Sequence, residues 1–316
     1  MPPVKRTKFK KGKRRAAARQ PAPQQCVDWL AASDLRGVLA RGAVWMACTR
    51  QLAYFLERVC LGRKTPRAAA AGVPVFRNVL GDDATGGGDG DAETPVVVRL
   101  SPEEAFYMAH TLDCLTVHAE AERGTPLGEE ADAAVRLVRL STSELWRALF
   151  RLGAEGAEAS YFYVRCAAHV HFRRAGWLPR SGLQYGADLV LYQNHPSLVH
   201  SDYCVVLRPG PGMRKAAAEA TRILLAGGTR RWEDGEEGEE GAEGEEEPMG
   251  LRRWTEVQAV SRLCVQVNKT LVAATVDCPA GTDASAPECM WFASVTEARM
   301  SRFNPEREVS KGGGGK

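Results

Sequence analysis

The order of hydrophobic periods in the second half of the chain predicts an α/β or α+β fold with a mixed sheet. Between residues 161 and 276 a helical stretch, several short strands, a second helix and a buried strand follow one another. A length of 316 residues predicts two domains. A hydrophobic fraction of 44% with 26% charged residues is that of an ordinary folded chain rather than a disordered one.

Folded sequence is expected to begin near Cys26, where Val27, Trp29 and Leu30 interrupt a polar tail. Between Gly42 and Leu61 the apolar residues Val44, Trp45, Leu52, Phe55, Leu56 and Val59 predict a helix over the second half of the segment. Residues 81–93 are mostly glycine, aspartate and alanine, as in a surface loop grown by insertion. Val96-Val97-Val98 and Leu100 then read as a strand, and Ser101-Pro102-Glu103-Glu104 as a capped helix start with proline early and acids in the first turn. That helix is expected to run through Phe106, Met108 and Leu112.

Helices are predicted over 141–151 and 161–175. In the second, Phe162, Cys166, His169 and Val170 share a face, and Gly176 supplies the stop. The period then becomes strand-like at Trp177-Leu178, Leu183-Gln184, Leu189 to Tyr192 and Tyr203 to Leu207. Residues 233–247 are almost wholly Glu and Gly and predict a disordered acidic insertion. A helix from Trp254 to near Asn268, a buried strand over Leu271–Val276 and a short element over Val295–Arg302 complete the order.

The longest apolar runs are far shorter than the roughly 20 residues of a membrane helix, so no transmembrane segment is expected. Nine cysteines are scattered without a CxxC pair or zinc spacing, which predicts reduced, mostly buried thiols. The net charge of +3 conceals segregation, because Lys5, Arg6, Lys8, Lys10, Lys11, Lys13, Arg14, Arg15 and Arg19 form a basic tail without acids. Such a tail suits phosphate contacts or nuclear import. The sequence has no GxxxxGK[ST], no GxGxxG after a strand, no GxSxG and no HExxH, so nucleotide, serine-hydrolase and metallopeptidase readings lose ground and no cofactor is expected. His169 and His171 sit two apart in a helix and are expected to be core and surface residues rather than ligands.

What remains is the run from Gly182 to Tyr203, with Tyr192 closing a strand, His195 and His200 in the loop and Tyr203 opening the next strand, followed later by Val267-Asn268-Lys269-Thr270-Leu271 at a helix-to-strand junction. This pattern resembles the catalytic domain of the tRNA-splicing endonucleases, in which a glycine-rich strand ends in tyrosine, a short loop leads to histidine, and a lysine follows later. The likeness covers about Tyr161 to Phe303, and more loosely Leu100 to Arg151. Phe172-Arg173-Arg174-Ala175-Gly176-Trp177 and Ser181-Gly182-Leu183-Gln184-Tyr185-Gly186 resemble the subunit 2 type, as do Pro287-Glu288-Cys289-Met290 and Ser301-Arg302-Phe303.

The resemblance implies a restriction-endonuclease-like α/β domain with a mixed sheet over 158–303, preceded by a smaller N-terminal α/β domain over 26–151. The flanks are a disordered basic tail over 1–25 and a flexible tail over 304–316, with the disordered acidic insertion over 233–250. It implies Tyr192, His200 and Lys269 as catalytic residues, with Arg262 and Phe303 as weaker matches to the arginine and tryptophan that sandwich an unpaired RNA base. Phenylalanine keeps a stacking face but lacks the indole donor. His195 falls off the matched position and reads as a loop residue.

The chemistry suits these residue types. RNA can be cut by its own 2′-hydroxyl, which needs a base, an acid at the leaving 5′-oxygen and positive charge at the phosphate. Histidine titrates near neutrality, whereas tyrosine, with an ordinary pKa of about 10, needs a neighbouring cation to serve as a base. Nothing in the sequence fixes which group takes the first proton. The resemblance implies tyrosine as base and histidine as acid, metal-independent cleavage of precursor tRNA to 2′,3′-cyclic phosphate and 5′-hydroxyl ends, and a nuclear heterotetramer with a second catalytic subunit and two structural subunits. A non-catalytic subunit of the same complex and a basic RNA-binding protein are the alternatives.

Overall fold

The computed structural model describes residues 30, 35–66, 73, 95–120, 137–154, 159–226 and 254–300. The basic tail, the loop over 81–93, the acidic insertion, Phe303 and the C-terminal tail lie outside the described residues.

Six strands of the N-terminal half form one sheet: β1 (Leu35–Ala40), β2 (Ala43–Cys48), β3 (Arg63–Thr65), β4 (Val96–Leu100), β5 (Leu115–Glu120) and β6 (Leu137–Arg139). Their order is β3-β4-β2-β1-β5-β6, with β1 and β5 parallel and every other neighbouring pair antiparallel. Helix α1 (Arg50–Arg58) starts at Thr49, whose side-chain oxygen accepts from the Leu52 N–H at 3.2 Å. Helix α2 (Pro102–Phe106) starts in a reciprocal cap: Ser101 Oγ accepts from the Glu104 N–H and Glu104 Oε2 accepts from the Ser101 N–H. It does not continue as an α-helix through Leu112 as expected. Tyr107–Thr111 widen into a π-turn, closed by a Leu112 N–H to Tyr107 carbonyl bond of 3.0 Å.

Helices α3 (Thr142–Ala154) and α4 (Ala159–Arg174) stand where the sequence puts them. Gly176, at φ 85°, ends α4, and the Trp177 N–H returns to the Phe172 carbonyl at 2.9 Å. The second sheet then follows: β7 (Leu178–Ser181), β8 (Leu189–Tyr192), β9 (Tyr203–Pro209), β10 (Thr270–Asp277) and β11 (Ser294–Met300), ordered β11-β10-β9-β8-β7. β9 and β10 are parallel and the other pairs antiparallel. The parallel step requires a crossover, and α5 (Pro211–Ala226) and α6 (Trp254–Gln266) lie within it.

Alternation along the central strands divides the packing. Val205 and Leu207 of β9 and Val272, Ala274 and Val276 of β10 join the main core with α4, while Cys204, Val206 and Leu271 join a smaller core with Val257, Val260 and Cys264 of α6. The main core holds the fully buried Trp146, Tyr163, Phe106, Phe150 and Phe172. The Trp146 indole donates to the Ala284 carbonyl at 3.0 Å, and the Tyr163 hydroxyl to the Cys289 carbonyl at 2.8 Å, so these large rings are buried with their polar ends satisfied.

Half-buried arginines link the two halves of the fold. Arg173 of α4 donates to the carbonyls of Val59 and Cys60 at the end of α1. Arg165 bonds Glu103 at 2.8 Å, and Arg180 donates to the Gly62 carbonyl at 3.0 Å.

The mixed α/β expectation holds. The expected strand at Leu183-Gln184 does not form: Leu183–Tyr185 is a 3-10 turn, because Gly186 takes φ 65° and reverses the chain. β1, β2, β3, β5, β6 and α5 have no counterpart in the sequence reading.

Candidate active site

The site lies where β8 and β9 meet the start of β10. The last antiparallel β8–β9 pair is Leu191 with Tyr203, and the first parallel β9–β10 pair is Tyr203 with Thr270. Continuing both registers by one residue puts Tyr192 and Lys269 on either side of Asp202, about 10 Å apart at two strand spacings. The Thr270 N–H donates to the Asp202 carbonyl at 2.9 Å, which anchors this corner. Tyr192 shares the side of Val190, and Lys269 the side of Leu271, both in the core under α6. Both side chains thus stand on one face of the sheet.

Lys269 is fixed from its backbone outward. At the end of α6, Asn268 adopts φ 53°, its N–H bonds the Val265 carbonyl at 3.2 Å, and the Lys269 N–H returns to the Cys264 carbonyl at 2.8 Å. This is the two-bond helix termination that favours glycine or asparagine, and it delivers Lys269 directly onto β10. The ammonium donates to Ser201 Oγ at 2.6 Å and to the Ser201 carbonyl at 2.7 Å. It also lies 4.9 Å from the centre of the Tyr185 ring.

Tyr185 is delivered by the tight turn between β7 and β8. The Tyr185 N–H bonds the Gly182 carbonyl at 2.8 Å, and the Ala187 N–H reaches the same carbonyl at 3.1 Å. A Cβ on residue 182 would lie 2.8 Å from the Ala187 carbonyl oxygen, which leaves glycine as the residue that fits. Burial, and then the neighbouring Tyr192 hydroxyl, raise the Tyr185 phenol above the ordinary tyrosine pKa. Its ring face is therefore what it offers to Lys269.

His200 sits exposed in the loop that joins β8 to β9, one residue before the buried Ser201. His195 organises that loop: its Nδ1 accepts from the Ser197 N–H at 3.2 Å and meets Ser197 Oγ at 2.7 Å, while its carbonyl accepts from Leu198 at 2.8 Å. Burial, and then the charge of Arg58, lower its pKa, which suits a ring nitrogen that accepts a hydrogen bond. The loop role read from the sequence fits these bonds.

Arg262 is exposed on α6. Val257, Val260 and Cys264 turn to the sheet, so Arg262 lies on the solvent side of that helix. The sequence brings Tyr192, His200 and Lys269 to one end of one sheet, with Arg262 apart from their common row. Tyr185 and Ser201, which touch the lysine directly, were within the run that suggested the site but carried no chemical signal by themselves. Among the described residues no group of three His, Cys, Asp or Glu could hold a metal ion.

Residues 162–282 match the family described as tRNA intron endonuclease, catalytic C-terminal domain. That stretch of the chain is similar to a tRNA intron endonuclease catalytic domain. All of β7 to β10 lies within that match, and so do Tyr192, His200 and Lys269. The chain is similar to "Probable tRNA-splicing endonuclease subunit Sen2" of Oryza sativa subsp. japonica, 30% identical over 65% of this chain and 53% of that protein. It is similar to tRNA-splicing endonuclease subunit Sen2-1 of Arabidopsis thaliana, 28% identical over 66% of this chain and 65% of that protein. It is also similar to subunit Sen2-2 of the same plant, 25% identical over 88% of this chain and 79% of that protein. The first two alignments cover roughly half to two thirds of the relative.

Proposed function

We propose that this chain is a catalytic subunit of a tRNA-splicing endonuclease, of the subunit 2 type, that cleaves intron-containing precursor tRNA at a splice site. The observation that carries the reading is the shared sheet corner: β8 ends on Tyr192, β10 begins after Lys269, and the loop leading into β9 carries His200. Those three residue types supply the base, the charge and the acid that internal attack by a 2′-hydroxyl requires.

In this mechanism Tyr192 takes the 2′-hydroxyl proton, and the oxygen attacks the adjacent phosphorus. Lys269 stabilises the charge that builds on the non-bridging oxygens. His200 donates a proton to the departing 5′-oxygen. The products are a 2′,3′-cyclic phosphate and a 5′-hydroxyl, and no metal takes part in the chemical step. Arg262, and Phe303 outside the described residues, are assigned to an unpaired base of the substrate. The working assembly is a nuclear heterotetramer with a second catalytic subunit and two structural subunits. Specificity comes from tRNA shape and unpaired splice-site nucleotides rather than from base edges in a helix.

The test is a reconstituted complex incubated with an intron-containing tRNA transcript in EDTA. Cutting at one splice site is expected, with loss of that cut alone when Tyr192→Phe, His200→Ala or Lys269→Ala is introduced here. Unchanged cutting at both sites by all three variants would refute a catalytic role for this chain.

A further inference from the structure

We infer that Tyr185 and Ser201 are positioning residues for Lys269, holding its ammonium at the phosphate-facing end of the sheet before substrate arrives. The inference rests on the reading of Lys269 as the charge-stabilising group.

Lysine is a compact charge on a flexible four-carbon stem, so an untethered side chain would sample a wide volume of a cleft. Here two donors are committed to Ser201, at 2.6 and 2.7 Å, and the cation meets the Tyr185 ring face at 4.9 Å. The supports come from different parts of the chain: Ser201 ends the β8–β9 loop two residues before β9, Tyr185 comes from the β7–β8 turn, and Lys269 follows α6. Each support is itself fixed. Ser201 is 4% exposed, and the Tyr185 turn is pinned by the Gly182 carbonyl and backs onto α6, where a Cβ at residue 186 would be 3.4 Å from Val260. Ser201 also follows His200 directly, so one short segment carries the acid and holds the lysine.

A displacement of about 1 Å at such a group can cost roughly 100-fold in rate, so loss of the ring should be visible in turnover rather than in binding. The experiment uses the reconstituted complex under single-turnover conditions, with the parent chain and Lys269→Ala as references and thermal melting to verify folding. Tyr185→Leu is expected to lower the maximal rate about 10-fold or more, with the substrate concentration at half-maximal rate changing less than about 3-fold. Tyr185→Phe, which keeps the ring face, should recover most of that rate. Ser201→Ala should lose less than Tyr185→Leu because the carbonyl acceptor remains, and Ser201→Thr should restore it.

In the Lys269→Ala background Tyr185→Leu should add little further loss. Equal losses from Tyr185→Leu with and without Lys269 would overturn the inference, as would failure of Tyr185→Phe to recover the rate. If Lys269→Ala slows cutting and Tyr185→Leu does not, the positioning role is wrong while the reading of the site stands. If Lys269→Ala cuts like the parent chain, the reading itself fails and the inference falls with it.

Discussion

Replacing Gly182 by alanine tests how rigidly the turn before β8 must be built. A Cβ there would lie 2.8 Å from the Ala187 carbonyl oxygen and 2.9 Å from the carbonyl carbons of Ala187 and Leu189, all backbone atoms that no side-chain rotation can move aside. Gly186→Ala is the control in the same turn. Its Cβ would meet only Val260 Cγ2, at 3.4 Å, so its cost is mainly that of φ 65°, about 1–2 kcal/mol. At roughly 2–4 °C per kcal/mol for a chain of this size, Gly186→Ala should lower Tm by about 2–8 °C.

Gly182→Ala adds overpacking, typically worth about 1–3 kcal/mol, and its relief must displace the backbone that carries Tyr185. Melting of the purified chain measures the first effect, and single-turnover cleavage well below both melting points measures the second. Gly182→Ala should lose cutting by about 10-fold or more beyond Gly186→Ala, because the ring over Lys269 moves. A Gly182→Ala protein that melts and cuts like the parent would refute the close approach and the argument drawn from it.

His200→Ala should slow cleavage roughly 100-fold or more with little change in RNA affinity, and a substrate whose leaving 5′-oxygen is sulfur should rescue it but not Tyr192→Phe. Rescue of Tyr192→Phe instead would show that acid and base are exchanged. Because all three catalytic roles fall to side chains in this reading, cutting of pre-folded RNA should persist in EDTA, and strict dependence on added magnesium would refute the mechanism. Asp277→Ala removes the acceptor for the Met213 and Cys278 N–H groups at 3.0 and 2.9 Å and should cost about 0.5–2 kcal/mol, read as a lower urea midpoint with an unchanged slope.

His169 is buried, its pKa is lowered first by burial and then by Arg173, and its Nε2 accepts from Arg173 Nε at 3.4 Å. The unfolded chain binds this proton more readily than the folded one, so the stability that neutral His169 contributes is present above about pH 6.5 and declines as pH falls. His169→Asn should flatten the stability profile between about pH 5 and 7, as followed by urea unfolding, and an unaltered slope would count against the assignment.

Elements that stabilise themselves locally were legible in the sequence. Ser101 and Glu104 cap α2 from within four residues, Ser141 and Glu144 do the same for α3, and Gly176 ends α4 where its position foretold. α5 was not legible because its first turn is capped by Asp277, which lies 64 residues away in sequence and reaches it only after β10 has paired. Leu183-Gln184 looked like a strand because its apolar and polar residues alternate, but the left-handed Gly186 decides its conformation and leaves Leu183 exposed. The edge strand β6 is exposed throughout, so no buried face gave it a readable alternation.

At the site, Tyr192, His200 and Lys269 were readable as residue types in a familiar order. The Lys269 clamp was not, because Tyr185 and Ser201 become its neighbours only when the registers of β8, β9 and β10 are known.

The parallel pairing of β9 with β10 also sets an order of assembly during synthesis. Tyr192 and His200 leave the ribosome with β8 and β9, whereas Lys269 arrives only after the crossover, and β10 must then fit between β9 and β11. Until it does, one side of β9 is an open edge bearing Cys204, Val205, Val206 and Leu207, the kind of unpaired apolar strand that recruits other chains. A product terminated before residue 269 would carry two of the three candidate catalytic groups and an exposed template for misassembly.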